Sequence, residues 1–120
     1  MTGFTRIRIS EESTKRLKTL KTRTGLTPNI ICRIALCFSL NSGNITSTIV
    51  KLDDNGQEFN RFTLLGKRDS YYIALVKQRC IEDGLDPKKD FMKQFKLHLN
   101  NGIISVFSRV KNLPDLINLI

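Results

Sequence analysis

The residues with the clearest chemical pattern are three lysines spaced three positions apart, Lys15, Lys18 and Lys21. In a helix each residue turns by about 100°, so side chains at this spacing form one slanted row along the surface. Cations aligned in this way can each contact a phosphate group of a nucleic acid. With the adjacent Arg16 and Arg23, the pattern predicts a DNA-contacting helix face, and a solvated charged face is the alternative.

A second basic pattern precedes this row. Arg6 and Arg8 alternate with Ile7 and Ile9, as side chains do in a half-buried strand. The solvent face of that strand is therefore cationic. Arg6 and Arg8 are further candidates for DNA contact, although the same residues could instead lie in a subunit interface.

The charge of the chain is uneven. Twenty basic and eleven acidic residues give a net charge of +9, and the pI is near 9.8. Residues 1–40 hold eight basic and two acidic residues, or +6, whereas residues 41–120 hold twelve and nine, or +3. This balance favours a polyanionic partner, with nucleic acid the first candidate, and phosphate contacts are expected in the N-terminal third.

Residue types that serve catalysis are scarce. His98, the only histidine, lies among apolar residues and is expected to be structural or surface-exposed. Asp53, Asp54 and Glu58 could hold a divalent ion, as nucleases require, but carboxylates around an Asn-Gly pair are more typical of a solvated turn. No zinc-ligand spacing and no phosphate-binding glycine loop is present in the sequence. We therefore expect a non-enzymatic protein without a metal or cofactor.

The three cysteines and the apolar pattern bear on the compartment. Cys32, Cys37 and Cys80 are odd in number and lie in apolar stretches, which favours buried free thiols over disulfides. The first residues lack the apolar run of a signal peptide, and no segment approaches the ~20 apolar residues of a membrane span. A cytoplasmic protein without a membrane association is expected.

The N-terminal third contains clear start and stop signals. A strand is predicted over residues 4–9, followed by a helix over residues 13–24 with Ser10 as its cap and Gly25 as its stop. Pro28 then begins a second helix that extends to Leu40. Because that helix is apolar on most of its circumference, it is expected to be central or to lie in a subunit interface.

The rest of the chain is predicted to be mostly helical. Residues 45–52 and 59–65 have the composition of strands around a turn signal, so a hairpin or an ordered excursion fits. A helix is predicted over residues 69–83, and another from Asp86 to a break at Asn101-Gly102, with short elements after it.

These elements predict a mainly α (α+β) fold in one compact domain spanning residues 1–120. A strand-helix-helix segment over residues 1–41 has the element order of ribbon-helix-helix DNA-binding proteins. A possible hairpin follows it, and residues 69–120 form the C-terminal helical part.

A longer motif carries a more specific resemblance. LKTLKTRTGLTPN at residues 17–29, followed by RIAL at 33–36 and SL at 39–40, resembles the DndE family. The resemblance implies a role in DNA phosphorothioation, in which sulfur replaces a non-bridging phosphate oxygen, together with a cysteine desulfurase, DndC and DndD. It also implies a homotetramer that binds double-stranded DNA, prefers nicked duplex and needs no cofactor.

The leading hypothesis is thus a DNA-binding subunit that positions a modification complex and recognises the DNA backbone more than its sequence. A ribbon-helix-helix transcription regulator, reading an operator through Arg6 and Arg8, is the first alternative. A DNA-nicking enzyme and an adaptor whose basic face meets an acidic protein are the others.

Overall fold

A short strand and two helices form the N-terminal third of the chain. The computed structural model describes residues 4–45 and 52–120. Strand β1 spans Arg6–Arg8, helix α1 spans Glu11–Thr24, and helix α2 spans Pro28–Ser42. The hydroxyl oxygen of Ser10 accepts a hydrogen bond from the backbone N–H of Ser13 at 3.0 Å, and Gly25 ends α1 with a φ of 76°. The predicted cap and stop are therefore confirmed.

Strand β1 pairs with a second strand from much later in the chain. Strand β2, Glu58–Asn60, runs antiparallel to β1, and the buried Ile7 faces the buried Phe59 across the pair. The strand-like composition of residues 59–65 corresponds to a strand only as far as Asn60, because the Asn60 side chain caps helix α3, Arg61–Leu65, by accepting from two backbone N–H groups. Residues 46–51 of the other predicted arm lie outside the described residues.

Three further helices complete the chain. A 3₁₀ turn, Gly66–Arg68, leads into α4, Asp69–Glu82, which is followed by α5, Phe91–Arg109, and α6, Leu113–Leu119. Helix α5 begins later than predicted, because the Asp86 carboxylate accepts from the backbone N–H groups of Lys88 and Lys89 and holds a turn. Helix α5 packs along α2 and also contacts α1, α4 and α6.

The helix break predicted at Asn101-Gly102 is wrong, since α5 continues through both residues. Gly102 is buried where α5 crosses α2, and a Cβ atom at this position would overlap the backbone carbonyl of Ala35. The missing side chain allows the two backbones to approach closely. Gly102 therefore has a packing role in the middle of a helix, which its residue type alone does not reveal.

The core lies between α1, α2 and α5 and is closed by the small sheet. Leu17 and Leu20 of α1 are fully buried in it, and such burial stabilises the fold by about 2 kcal/mol per side chain. Helix α2 is central, as its apolar composition predicted. The mainly helical α+β class is confirmed. None of the helices in the described part of the chain is long and apolar enough to span a membrane.

Candidate nucleic-acid interface

The lysine row lies on the solvent side of α1. Lys15, Lys18 and Lys21 are all exposed, while the opposite side of the helix is fixed in the core by Leu17 and Leu20. Lys15 has an ion-pair contact of 3.7 Å with Glu11, one helical turn earlier. Within residues 4–45 and 52–120, Lys18 and Lys21 have no acidic partner. Two of the three ammonium groups are thus unpaired and face solvent.

Arg16 and Arg23 lie on the other flank of α1, beside α5. Their guanidinium carbons are 4.5 and 4.6 Å from the centre of the Phe107 ring, which is the geometry of cation–π contacts. Arg23 also donates to the backbone carbonyl of Val110 at 3.3 Å. The ammonium group of Lys111 lies 5.8 Å from the same ring. Arg16 also lines a pocket together with Lys15, so this cluster adjoins the lysine row, whereas Arg23 has a packing role.

Arg6 and Arg8 lie on the exposed face of the small sheet. Both form ion pairs with Glu58 of β2, at 3.5 and 3.1 Å. Arg8 also donates to the backbone carbonyl of Gly56 at 3.1 Å. Because β1 pairs with β2 of the same chain, these arginines are engaged within the subunit. A ribbon-helix-helix repressor instead pairs this strand with the equivalent strand of a second subunit.

A loop that sequence analysis did not assign to this surface connects the lysine row of α1 with the arginines of the small sheet. Residues 55–57 line a groove of about 440 Å³ whose other wall includes Lys15 and Lys18. Gly56 in that loop is the residue that accepts from Arg8. The loop therefore lies between the lysine row and the arginines of the sheet. Its Asn-Gly pair predicted a turn, but nothing in the local sequence indicates what the turn packs against.

The carboxylates considered as metal ligands each have a different partner. The Asp53 carboxylate accepts from the backbone N–H groups of Glu11 and Asn55 at 3.0 and 2.9 Å. Asp54 forms an ion pair with Lys96 at 3.0 Å, and Glu58 pairs with the two arginines of β1. No cluster of metal-ligating side chains occurs among the described residues.

His98 is fully buried between α2 and α5. Its Nδ1 atom lies 2.8 Å from the hydroxyl oxygen of Ser39, which also accepts from the Asn101 amide at 2.9 Å. Burial lowers the pKa of His98 to about 4, so the ring is neutral near pH 7. A substrate cannot reach this pair without displacing core residues, which agrees with the predicted structural role.

The cysteines divide between the core and the surface. Cys32 and Cys80 are buried free thiols, as expected, and burial raises the pKa of Cys32 to about 12. The expectation of burial is wrong for Cys37, which is exposed because it lies on the outward face of α2.

Comparison with known proteins points to one family. The model of the family described as DNA sulphur modification protein DndE matches residues 6–113. The crystal structure of DndE from Escherichia coli B7A, described as involved in DNA phosphorothioation modification, is 25% identical, with a TM-score of 0.72 over 88% of this chain and 99% of that one. A DndE mutant with glycine-to-lysine substitutions, 24% identical, shares the fold at a TM-score of 0.67 over 86% and 97%. No curated protein matches the sequence.

Proposed function

Because the chain belongs to the DndE family, and so to a DNA phosphorothioation system, we propose that it is the non-enzymatic subunit that binds double-stranded DNA in that system. The observation that carries this proposal is the row of exposed lysines on α1, two of which lack an acidic partner in the described part of the chain. The site comprises Lys15, Lys18 and Lys21, with Arg16 on the adjacent flank.

The contacts around these residues favour exchange with phosphates. The pairs of Lys15 with Glu11 and of Arg16 with Glu12 are solvent-exposed, and such pairs contribute only about 0–1 kcal/mol. A phosphate group can therefore replace the glutamate at little cost. Arg23 and Arg8 donate to backbone carbonyls and are weaker candidates, because a DNA contact would compete with those bonds. Arg6 is the more exposed of the two sheet arginines, so it remains a DNA-binding candidate.

An apolar surface away from the lysine row supports the proposed homotetramer. The outward face of α2 borders α6 along a groove of about 360 Å³. Ile120 at one end of the groove is 77% exposed, and apolar side chains grouped at the surface are typical of subunit contacts. The groove is lined by Arg33, Ile34, Cys37, Phe38, Asn41, Tyr72, Leu119 and Ile120. Self-association through this groove would leave α1 free to bind DNA. Other faces of the protein contact DndC and DndD in the cytoplasm.

The experiment that tests the proposed function is a titration of intact, nicked and single-stranded DNA with the protein at two salt concentrations, with its mass measured in parallel. We expect duplex binding that weakens steeply with salt, the tightest binding to nicked duplex, and a mass of four chains. Absence of duplex binding at low salt would contradict the proposal. Nicking of supercoiled plasmid by the pure protein with magnesium would contradict its non-enzymatic part.

A further inference from the structure

The groove beside the lysine row has a second wall made by residues 55–57. We propose that the side-chain amides of Asn55 and Gln57 donate hydrogen bonds to the backbone of the DNA whose phosphates Lys15 and Lys18 contact. This inference rests on the proposed function and adds to it two uncharged binding residues from a distant part of the chain. The site then extends beyond α1.

The loop is held firmly against the start of α1. The backbone N–H of Gly56 donates to the carbonyl of Ile9 at 3.0 Å, and the backbone N–H of Gln57 donates to the hydroxyl of Thr14 at 2.8 Å. A Cβ atom on Gly56 would overlap that hydroxyl and the carbonyl oxygen of Ser10. Only glycine permits so close an approach, and the backbone positions from which the Asn55 and Gln57 side chains extend are thereby fixed.

Both flanking amides are available for a ligand. Asn55 and Gln57 are exposed, and across the described ranges their side chains make no hydrogen bond, although their backbone N–H groups do. No described residue other than glycine has a positive φ, so alanine at position 55 would not be forced into the left-handed region. The fold gives these amides no internal role.

The chemistry of the groove fits a nucleic-acid backbone. Lysines supply charge to phosphates, and asparagine and glutamine are among the side chains that donate to phosphate and sugar oxygens in protein–DNA complexes. Since hydrogen bonds already fix the loop backbone, an amide contact costs only the rotamer freedom of the side chain that makes it. The amides are neutral, so they release no counterions and should not contribute to the salt dependence of binding.

The test compares an Asn55→Ala/Gln57→Ala double variant with the wild type on two duplexes of unrelated sequence over a series of salt concentrations. We expect affinity to fall about fivefold to thirtyfold on both duplexes, corresponding to two neutral hydrogen bonds, with an unchanged salt slope. The alanine variants keep every backbone hydrogen bond of the loop, and thermal unfolding checks that the fold is retained. Asn118→Ala, which removes an exposed amide on α6, is the matched control and should bind like the wild type.

The outcomes separate the two proposals. If the wild type binds duplex DNA in a lysine-dependent way and the double variant binds equally well, this inference is wrong and the proposed function stands. A loss confined to one duplex would show base recognition and would overturn the backbone assignment. If the wild type does not bind duplex DNA, both proposals fail.

Discussion

Helix propensity and the close crossing of α5 over α2 predict opposite effects on stability when Gly102 is replaced by alanine. Gly102 lies in the interior of α5, where replacing glycine by alanine ordinarily stabilises a helix by about 1 kcal/mol. At this position, however, the new methyl group would overlap the carbonyl of Ala35. The overlapping atoms belong to the backbone of a central helix and cannot move aside as the end of a flexible side chain would.

The expected magnitude follows from these two opposing effects. Overpacking of a well-packed core typically costs about 1–3 kcal/mol, and the rigid neighbour places Gly102→Ala near the upper end. After the gain of about 1 kcal/mol from helix propensity, the variant should be destabilised by about 2 kcal/mol.

Urea unfolding followed by circular dichroism measures this difference. With an m value of about 1.5 kcal/mol/M, the midpoint of Gly102→Ala should fall by about 1.3 M. Lys93→Ala, at an exposed position of the same helix, is the control and should change stability by less than about 0.5 kcal/mol. A Gly102→Ala protein as stable as the wild type, or more stable, would refute the close approach of the two helices.

Other predictions concern single side chains. Burial lowers the pKa of His98 to about 4 in the folded protein, whereas it is near 6.5 in the unfolded chain. Protons therefore bind the unfolded state preferentially. The free energy of unfolding should fall by up to about 1 kcal/mol per pH unit as the pH drops from 6.5 towards 4. Urea midpoints across that range measure it; a flat profile, or the same profile in His98→Gln, would contradict it. Ser10→Ala removes the α1 cap and should cost about 1 kcal/mol in the same assay, with Ser108→Ala as the near-neutral comparison. Arg61→Ala breaks a two-point contact with Asp69, at 2.7 and 2.8 Å, and should cost about 2 kcal/mol; a midpoint within error of the wild type would oppose this.

Local signals allowed much of the fold to be predicted from the sequence. Ser10, Gly25 and Pro28 act on the backbone of their immediate neighbours, so their types already specify where α1 begins and ends and where α2 begins. Gly102 could not be interpreted in this way. Glycine serves both as a helix stop and as a point of close helix contact, and only the position of Ala35, far away in sequence, distinguishes the two.

The candidate site was predictable to a similar extent. Helical periodicity alone places the lysine row on one exposed surface. The partners of Arg8 and Arg23, by contrast, lie about fifty and more than eighty residues away, as Glu58 and Val110, and no periodic pattern connects them. The contribution of residues 55–57 to the groove depends on the same kind of long-range packing.

The central claim, that this chain binds duplex DNA through the lysine row of α1, is tested most directly by the salt dependence of binding in a matched pair of triple variants. One replaces Lys15, Lys18 and Lys21 by alanine, and the other replaces the exposed Lys88, Lys89 and Lys93, which changes the net charge equally. In the variant of the lysine row, the slope of log K against the logarithm of the salt concentration should become less steep by about 3, or roughly one per lost phosphate contact. The control variant should keep the wild-type slope. Equal slopes in the two variants would show that only overall charge matters and would contradict the assignment of the site.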